Sequence, residues 1–442
     1  MLDRIRQGCS VGFFGFGRSN ASLLSSLPLE KCKITVRSDA PISCDLPKEA
    51  KVLTGEDATA DIDEDILFFS PSVRRDRPPF SVAKEGGCIF SSDAELFFEN
   101  NERPLFSVTG SDGKSSTAAL CEMLLTEGGR SALSVGNMGE AMFEKLAIPC
   151  DMYVAELSSF MLTYSSPISK RACLTSLSPN HLDWHKSYEE YKKTKINLLK
   201  NAEEFVVSSK NSDIKGAFGI VSMDKSYADL RQTYSAELYL TSEDGYIKRN
   251  GERLIEIERI RRREGYNLQN FMMALAMTDG YVGTDNIYRV AGEFSGLKHR
   301  CEKFLSRDAV DYYDSSIDTS PARTVATLRA LNKRVVIILG GRDKGLDYSE
   351  MLPELKKYVT EAVITGENRE KIYQQISKTV DCHIKADFSS AVKLGIDLSK
   401  RGGALLLSPA AASYDNFKDY AHRGDEFQKI IFKEIENEKN LS

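Results

Sequence analysis

The sequence predicts an α/β protein of three domains, over residues 1–92, 93–296 and 297–442. Three observations carry this. A chain of 442 residues is the length of about three domains of roughly 150 residues. Each segment contains a short apolar run that ends in a glycine turn: "SVGFFGFG", "LFSVTGSDG" and "VVIILGG". With 41% hydrophobic and 28% charged residues, the chain has the composition of a packed globular protein rather than a disordered one.

In the first segment, "CSVGFFGFGRSNASLLSSL" reads as a strand, a G-x-G turn and a helix, the start of a dinucleotide-type fold. Asn20 stands where the third glycine of G-x-G-x-x-G is expected. Strands follow at 33–38, 66–72 and 87–92, and their spacing suggests a small parallel sheet. The two prolines of "RRDRPP" make 74–79 a loop.

The second segment begins near Asp93. "RPLFSVTG" is a strand leading into a glycine-rich loop, and "SSTAALCEMLLTEGG" is a helix with a glycine stop. "MYVAELSSF" and "RACLTSLSPNHLDWH" each begin as buried strands and end in polar residues. Open α/β sheets bind ligands at the carboxyl ends of their strands. The loop at 110–116, Glu156 and His181 are therefore expected at one sheet edge. "SYEEYKKTKINLL" continues as a helix. In the third segment "RVVIILGGRDKGLDY", "EAVITGENREKI" and "GALLLSPAAASYDNF" repeat the strand-then-turn form.

The net charge of −5, with both signs mixed, gives no reason to expect nucleic acid as a partner. The one basic run, "RIRRRE", reads as a solvated loop or helix start. Nine cysteines without a C-x-x-C pair argue against a metal knuckle or disulfide framework and for a reducing compartment. No stretch reaches the ~18 apolar residues of a membrane span. The apolar run near the amino end is short and broken by glycines, so it reads as a buried strand rather than a signal peptide.

The loop "TGSDGKSS" departs from G-x-x-x-x-G-K-S/T, because only two residues separate Gly110 from Gly113. Its chemistry still suits phosphate. Glycines let oxygens approach backbone N–H groups, and the following helix aims its positive end at the same anion. Lys114 supplies a compact charge for the β/γ-phosphates, and Ser115 or Ser116 can hold Mg²⁺. Glu156, at a strand end, offers a further oxygen ligand. Two of the five histidines fall in "NHLDWH", beside Asp183.

In order along the chain stand "GSDGKS", "AELSSF", "HLDWHKSYEEYKKTK", "GYNLQN", "FSGLKHRCE", "LGGRDKG" and "LLLSPAAASYDNFKDYAHRGDEF". In these motifs the sequence resembles the Mur ligase family of ATP-dependent amide-forming enzymes, across nearly its whole length. The short phosphate loop is that family's own form, usually with Asn where Asp112 stands. The resemblance implies a Rossmann-like N-terminal domain for a UDP-substrate, a central P-loop ATPase-type domain and a C-terminal Rossmann-like domain for the amino acid. It also implies ATP and Mg²⁺, a cytoplasmic monomer, and no membrane insertion. The C-terminal motif is most similar to the member that adds D-glutamate to UDP-N-acetylmuramoyl-L-alanine in peptidoglycan precursor synthesis.

By this resemblance, Gly110, Ser111, Asp112, Gly113, Lys114, Ser115, Ser116 and Asn137 line the phosphates. Asn267 and Asn270 lie on the adenine side, and Arg300 and Asp314 are further ATP groups. Ser115, Glu156 and His181 match Mg²⁺ ligands, and Lys195 matches a lysine that is carbamylated and acts beside the metal. Phe16, Gly17, Arg18, Ser38 and Ser72 fall where the uridine nucleotide sits. Lys344, Ser413 and Tyr414 fall where D-glutamate is held. Departures from the family pattern are Ser72 for a glycine, Ser176 for an asparagine, Tyr266 for a histidine and Ser316 for a lysine. The rival readings are another amino-acid-adding ligase of the family and a P-loop protein without ligation.

Overall fold

The computed structural model describes every residue except 40, 41, 43–45, 137–140, 183, 212, 213, 264, 344 and 442, with no side-chain description for 18, 402 and 437–441. It is mixed α/β with three sheets, and it divides into two compact units, Met1–Phe294 and Ser295–Ser442.

Five parallel strands form the first sheet: β1 (Ser10–Phe14), β2 (Lys33–Ser38), β3 (Lys51–Thr54), β4 (Ile66–Phe69) and β5 (Ile89–Ser91), in the order β3-β2-β1-β4-β5. The order reverses at β1, and the crevice beside its carboxyl end is the usual ligand position of such sheets. The G-x-G turn opens there into the helix Arg18–Ser26. Asn20, in place of a third glycine, is fully buried, and its amide donates to the carbonyls of Phe14 (3.1 Å) and Gly15 (2.9 Å). The side chain thus braces the turn from below. The segment 74–79 is not a loop throughout: the helix Pro78–Glu85 starts at the first proline. Proline is favoured in a first helical turn, where its missing N–H would have no partner.

The second sheet has nine strands: β6 (Leu105–Thr109), β7 (Ala132–Gly136), β8 (Met152–Glu156), β9 (Ser169–Leu174), β10 (Ala202–Ser208), β11 (Gly219–Ser222), β12 (Leu238–Glu243), β13 (Tyr246–Arg249) and β14 (Glu252–Glu256). The order is β14-β13-β12-β11-β10-β9-β6-β8-β7, parallel from β7 to β12 and antiparallel beyond. Phe106 and Val108 enter one apolar cluster with the helices Lys114–Glu127 and Tyr266–Met277, while Leu105, Tyr153 and Ala155 enter another. Parallel strands are covered on both faces in this way, which is why they read as continuous apolar runs. β6 lies between β8 and β9, with Val108 paired to Glu156 and Thr109 to Leu174. The carboxyl ends of these three strands therefore share one edge.

The unit Ser295–Ser442 holds six strands: β15 (Glu302–Arg307), β16 (Val310–Asp314), β17 (Val335–Leu339), β18 (Val359–Ile364), β19 (Asp381–Ile384) and β20 (Ala404–Leu407). Their order is β15-β16-β20-β17-β18-β19, parallel except for the β15–β16 hairpin.

Candidate active site

The loop after β6 is braced from one side. The Ser111 N–H donates to the Ser176 carbonyl (2.9 Å), and the Asp112 N–H donates to Ser176 Oγ (2.8 Å). Ser111 Oγ donates to the Ser178 carbonyl (2.9 Å) and lies 2.9 Å from the Tyr191 hydroxyl. Ser176, a departure from the family's asparagine, thus holds the loop with both its side chain and its backbone. These braces leave the N-terminal end of the helix Lys114–Glu127 facing the loop, where its positive dipole favours an anion.

Gly113 caps that helix at φ +83°, a region where a side chain is strained. A Cβ there would also stand 2.3 Å from Asn270 Oδ1. Asn270 is 5% exposed and lies against the phosphate loop. Asn267 is half-buried, one turn earlier on the same helix. Gly113→Ala is expected to reduce turnover at least about tenfold, because the loop must move to relieve both strain and overlap. Its circular dichroism should match the parent's. Steady-state kinetics at saturating nucleotide measure the effect.

Lys114 is half-buried, and its ammonium donates to the carbonyls of Gly110 (3.0 Å) and Ser111 (2.9 Å). Ser115 is buried and Ser116 half-buried, both in the first helical turn. Glu156 closes β8 and is 1% exposed.

Lys195 also faces this edge, from the helix Tyr188–Lys200. It is 1% exposed, with Nζ 3.4 Å from Thr109 Oγ1 and 4.8 Å from the centre of the Tyr191 ring. Burial pushes its pKa well below the ordinary lysine value, and the charge of Lys114 pushes the same way; Glu156 and Asp112 oppose both. Desolvation therefore favours the neutral amine more than in an exposed lysine. The structure thus gathers Gly110–Lys114, Glu156 and Lys195 within electrostatic reach of one another.

His181 is exposed in the loop after β9, with its ring centre 4.9 Å from that of Phe160. His185, four residues on, is 1% exposed, and neither ring nitrogen has a hydrogen-bond partner among the described residues. Burial lowers its pKa, so it is a neutral ring packed among Phe160, Trp184 and Tyr191. Asn137 and Asp183 lie outside the described residues.

At the carboxyl edge of the first sheet, Phe16 is half-buried, Gly17 exposed, Ser38 buried and Ser72 exposed. Arg18 begins the helix after the turn, and its side chain is not described.

Within Ser295–Ser442, Asp314 is fully buried at the end of β16. It accepts from the Ser316 N–H (2.9 Å) and from Gln428 Nε2 (2.9 Å), and lies 2.7 Å from His299 Nδ1. The Asp314 carboxylate raises the pKa of His299 against the opposing effect of burial. Arg300 is half-buried, Ser413 is 2% exposed and Tyr414 is 54% exposed. Lys344 lies outside the described residues.

Arg423, not singled out by the sequence, is 1% exposed; its guanidinium donates to Ser316 Oγ (3.0 Å), the Ser316 carbonyl (2.9 Å) and the Ala411 carbonyl (3.0 Å). Burial lowers its pKa to about 10. The serine at the family's lysine position therefore anchors a buried arginine. The braces Ser178 and Tyr191 were likewise missed: Ser178 lies in the loop after β9 and Tyr191 on the helix Tyr188–Lys200, each far in sequence from Ser111.

Comparisons with known proteins find relatives of this chain. The Mur ligase middle domain matches residues 108–278, and the Mur ligase, glutamate ligase domain matches residues 299–411. The UDP-N-acetylmuramoylalanine--D-glutamate ligase of Clostridium botulinum (strain 657 / Type Ba4) is 31% identical over 443 residues, covering 95% of this chain and 96% of the relative. The protein of that name from Acetivibrio thermocellus is 35% identical over 384 residues, 83% of this chain and 82% of the relative. Among solved structures, the UDP-N-acetylmuramate-alanine ligase of Thermotoga maritima aligns with a TM-score of 0.61 at 15% identity, covering 96% of this chain and all of that one. At that identity the likeness concerns the fold alone.

Proposed function

The chain belongs to the Mur ligase family, and from that premise we propose that it joins D-glutamate to UDP-N-acetylmuramoyl-L-alanine at the expense of ATP, as a cytoplasmic monomer in peptidoglycan precursor synthesis. The observation that carries the reading is the meeting of a braced phosphate loop with buried Glu156 and buried Lys195 at one sheet edge. A nucleotide switch has no need for a carbamate on Lys195, the role the family resemblance gives that buried lysine.

In the first step a carboxylate oxygen of the L-alanyl group attacks the γ-phosphorus of ATP, the bond to the β,γ-bridging oxygen breaks, and an acyl phosphate and ADP form. The D-glutamate amine then attacks the acyl carbon. A tetrahedral intermediate collapses with loss of phosphate, and the amine proton passes to a base. His181, Asp183 and a carbamate on Lys195 are the candidates for that base. Lys114 and the helix N-terminus offset charge on the transferring phosphoryl group, where positioning and electrostatic stabilisation do most of the catalysis. Asn270, packed on Gly113, keeps the loop in shape.

Oxygen donors from Ser115 and Glu156 suit Mg²⁺, which prefers such ligands, and His181 and a carbamate at Lys195 complete the assigned set. When bound, the ion neutralises triphosphate charge. Phe16, Gly17, Arg18, Ser38 and Ser72 are assigned to the uridine nucleotide, with Asn137, Asn267, Arg300 and Asp314 to ATP. Lys344, Ser413 and Tyr414 are assigned to D-glutamate. The corresponding domains are 1–92, 93–296 and 297–442.

A panel of amino acids tests the assignment. With the nucleotide sugar and ATP fixed, D-glutamate should give the highest kcat/KM. If L-alanine, a diamino acid or D-aspartate outperforms it, the specificity assignment is wrong.

A further inference from the structure

Trp184 is the single tryptophan of the chain. It joins the segment after β4 to the loop after β9. Its indole N–H donates to the Ser72 carbonyl (2.7 Å), and its own carbonyl accepts from Arg74 Nη1 (2.6 Å). The Arg74 guanidinium also lies 4.8 Å from the centre of the indole ring. Arg74 is held in turn by Asp76 and Glu190, and Lys186 reaches Asp76 at 3.1 Å. Residues 72–76 follow β4 in the first sheet, whereas Trp184 follows β9 in the second; both belong to the unit Met1–Phe294.

On its other faces the indole ring meets Phe160 (4.7 Å) and His185 (4.7 Å). His185 packs on Tyr191, whose hydroxyl lies 2.9 Å from Ser111 Oγ in the phosphate loop. Ring packing alone needs no indole, since a phenylalanine would serve. The donated N–H and the doubly engaged arginine add directional bonds between segments 112 residues apart. Isolated exposed ion pairs contribute little, but here the arginine is fixed by a carboxylate, a carbonyl and an aromatic face together.

We propose that Trp184, clamped by Ser72 and Arg74, is a positioning residue that fixes the loop carrying His181 relative to the nucleotide-sugar loop at Ser72. Binding of the nucleotide sugar against residues 70–77 thereby sets the loop beside the reacting carboxylate. This rests on the assignment of Ser72 to the uridine-substrate site.

The test combines kinetics and emission. Trp184→Phe keeps the ring and loses the donor, and Arg74→Gln loses the clamp and keeps the tryptophan. Loss of one such bond is worth about fivefold, so each variant should raise KM for UDP-N-acetylmuramoyl-L-alanine by about that factor and leave KM for ATP within about twofold. Adding the nucleotide sugar to the unaltered protein should change tryptophan emission saturably, and Arg74→Gln should reduce the amplitude. Equal changes in both KM values, no change in either, or an emission that ignores the nucleotide sugar overturns the proposal. If the unaltered protein does not turn over the nucleotide sugar, the functional assignment fails instead, and the emission titration still decides the role of Trp184.

Discussion

Lys114→Ala should lower turnover by about 10²–10³, the range for removing one preorganised charge from a developing anion. The lysine lies half-buried over the loop, bonded to the carbonyls of Gly110 and Ser111. Those bonds fix its ammonium where the β/γ-phosphates are assigned. The loop itself is braced by Ser176, Ser178 and Tyr191, none of which touches Lys114 through the hydrogen bonds described. The variant should therefore unfold at nearly the parent temperature, and the loss should fall on kcat. Retention of more than about a third of the parent kcat, far outside that range, would reject the loop as the phosphate site.

Lys195 should carry a carbamate, and Lys195→Arg should reduce turnover by about 10² or more, since an orienting anion beside the phosphates becomes a fixed cation. The structural motive is the buried amine, pushed well below the ordinary lysine value by burial and by Lys114. Only the neutral amine attacks CO₂; its lone pair forms the N–C bond, and one proton is released to solvent. A depressed pKa enlarges that neutral fraction relative to an exposed lysine. The carbamate anion then lies beside Lys114, reversing the repulsion that the ammonium suffers. Labelled bicarbonate should give a carbamate ¹³C resonance that is absent from Lys195→Arg. An unmodified amine with bicarbonate and ATP present near neutral pH contradicts the assignment.

The parts of this site legible in the sequence were local ones. "GSDGKSS" announces itself because glycine and lysine must stand at fixed spacing between a strand and a helix. The shared edge of β6, β8 and β9 was also accessible, since buried runs ending in Glu156 and in "SLSPNH" are recognisable strand ends. What holds the loop was not. Ser176 and Tyr191 reach Asp112 and Ser111 from 64 and 80 residues away, and nothing in their immediate neighbourhood marks the pairing. Arg423 bonds to Ser316 across 107 residues, so its burial depends on the assembled sheet. Proline at 78 signals a loop in the sequence, yet it also suits a helix start. The antiparallel strands β13, β14 and β15 bury too few side chains to separate from polar loops: Glu252–Glu256 is exposed at its first two residues.

The central claim is ligation of D-glutamate to the nucleotide sugar through an acyl phosphate, and the formation of ADP tests it most directly. The protein is incubated with ATP, Mg²⁺ and UDP-N-acetylmuramoyl-L-alanine, with and without D-glutamate. Sustained ADP release is expected only when both substrates are present, with one amide product formed per ADP. ADP release that is indifferent to D-glutamate, or that proceeds without the nucleotide sugar, would contradict it.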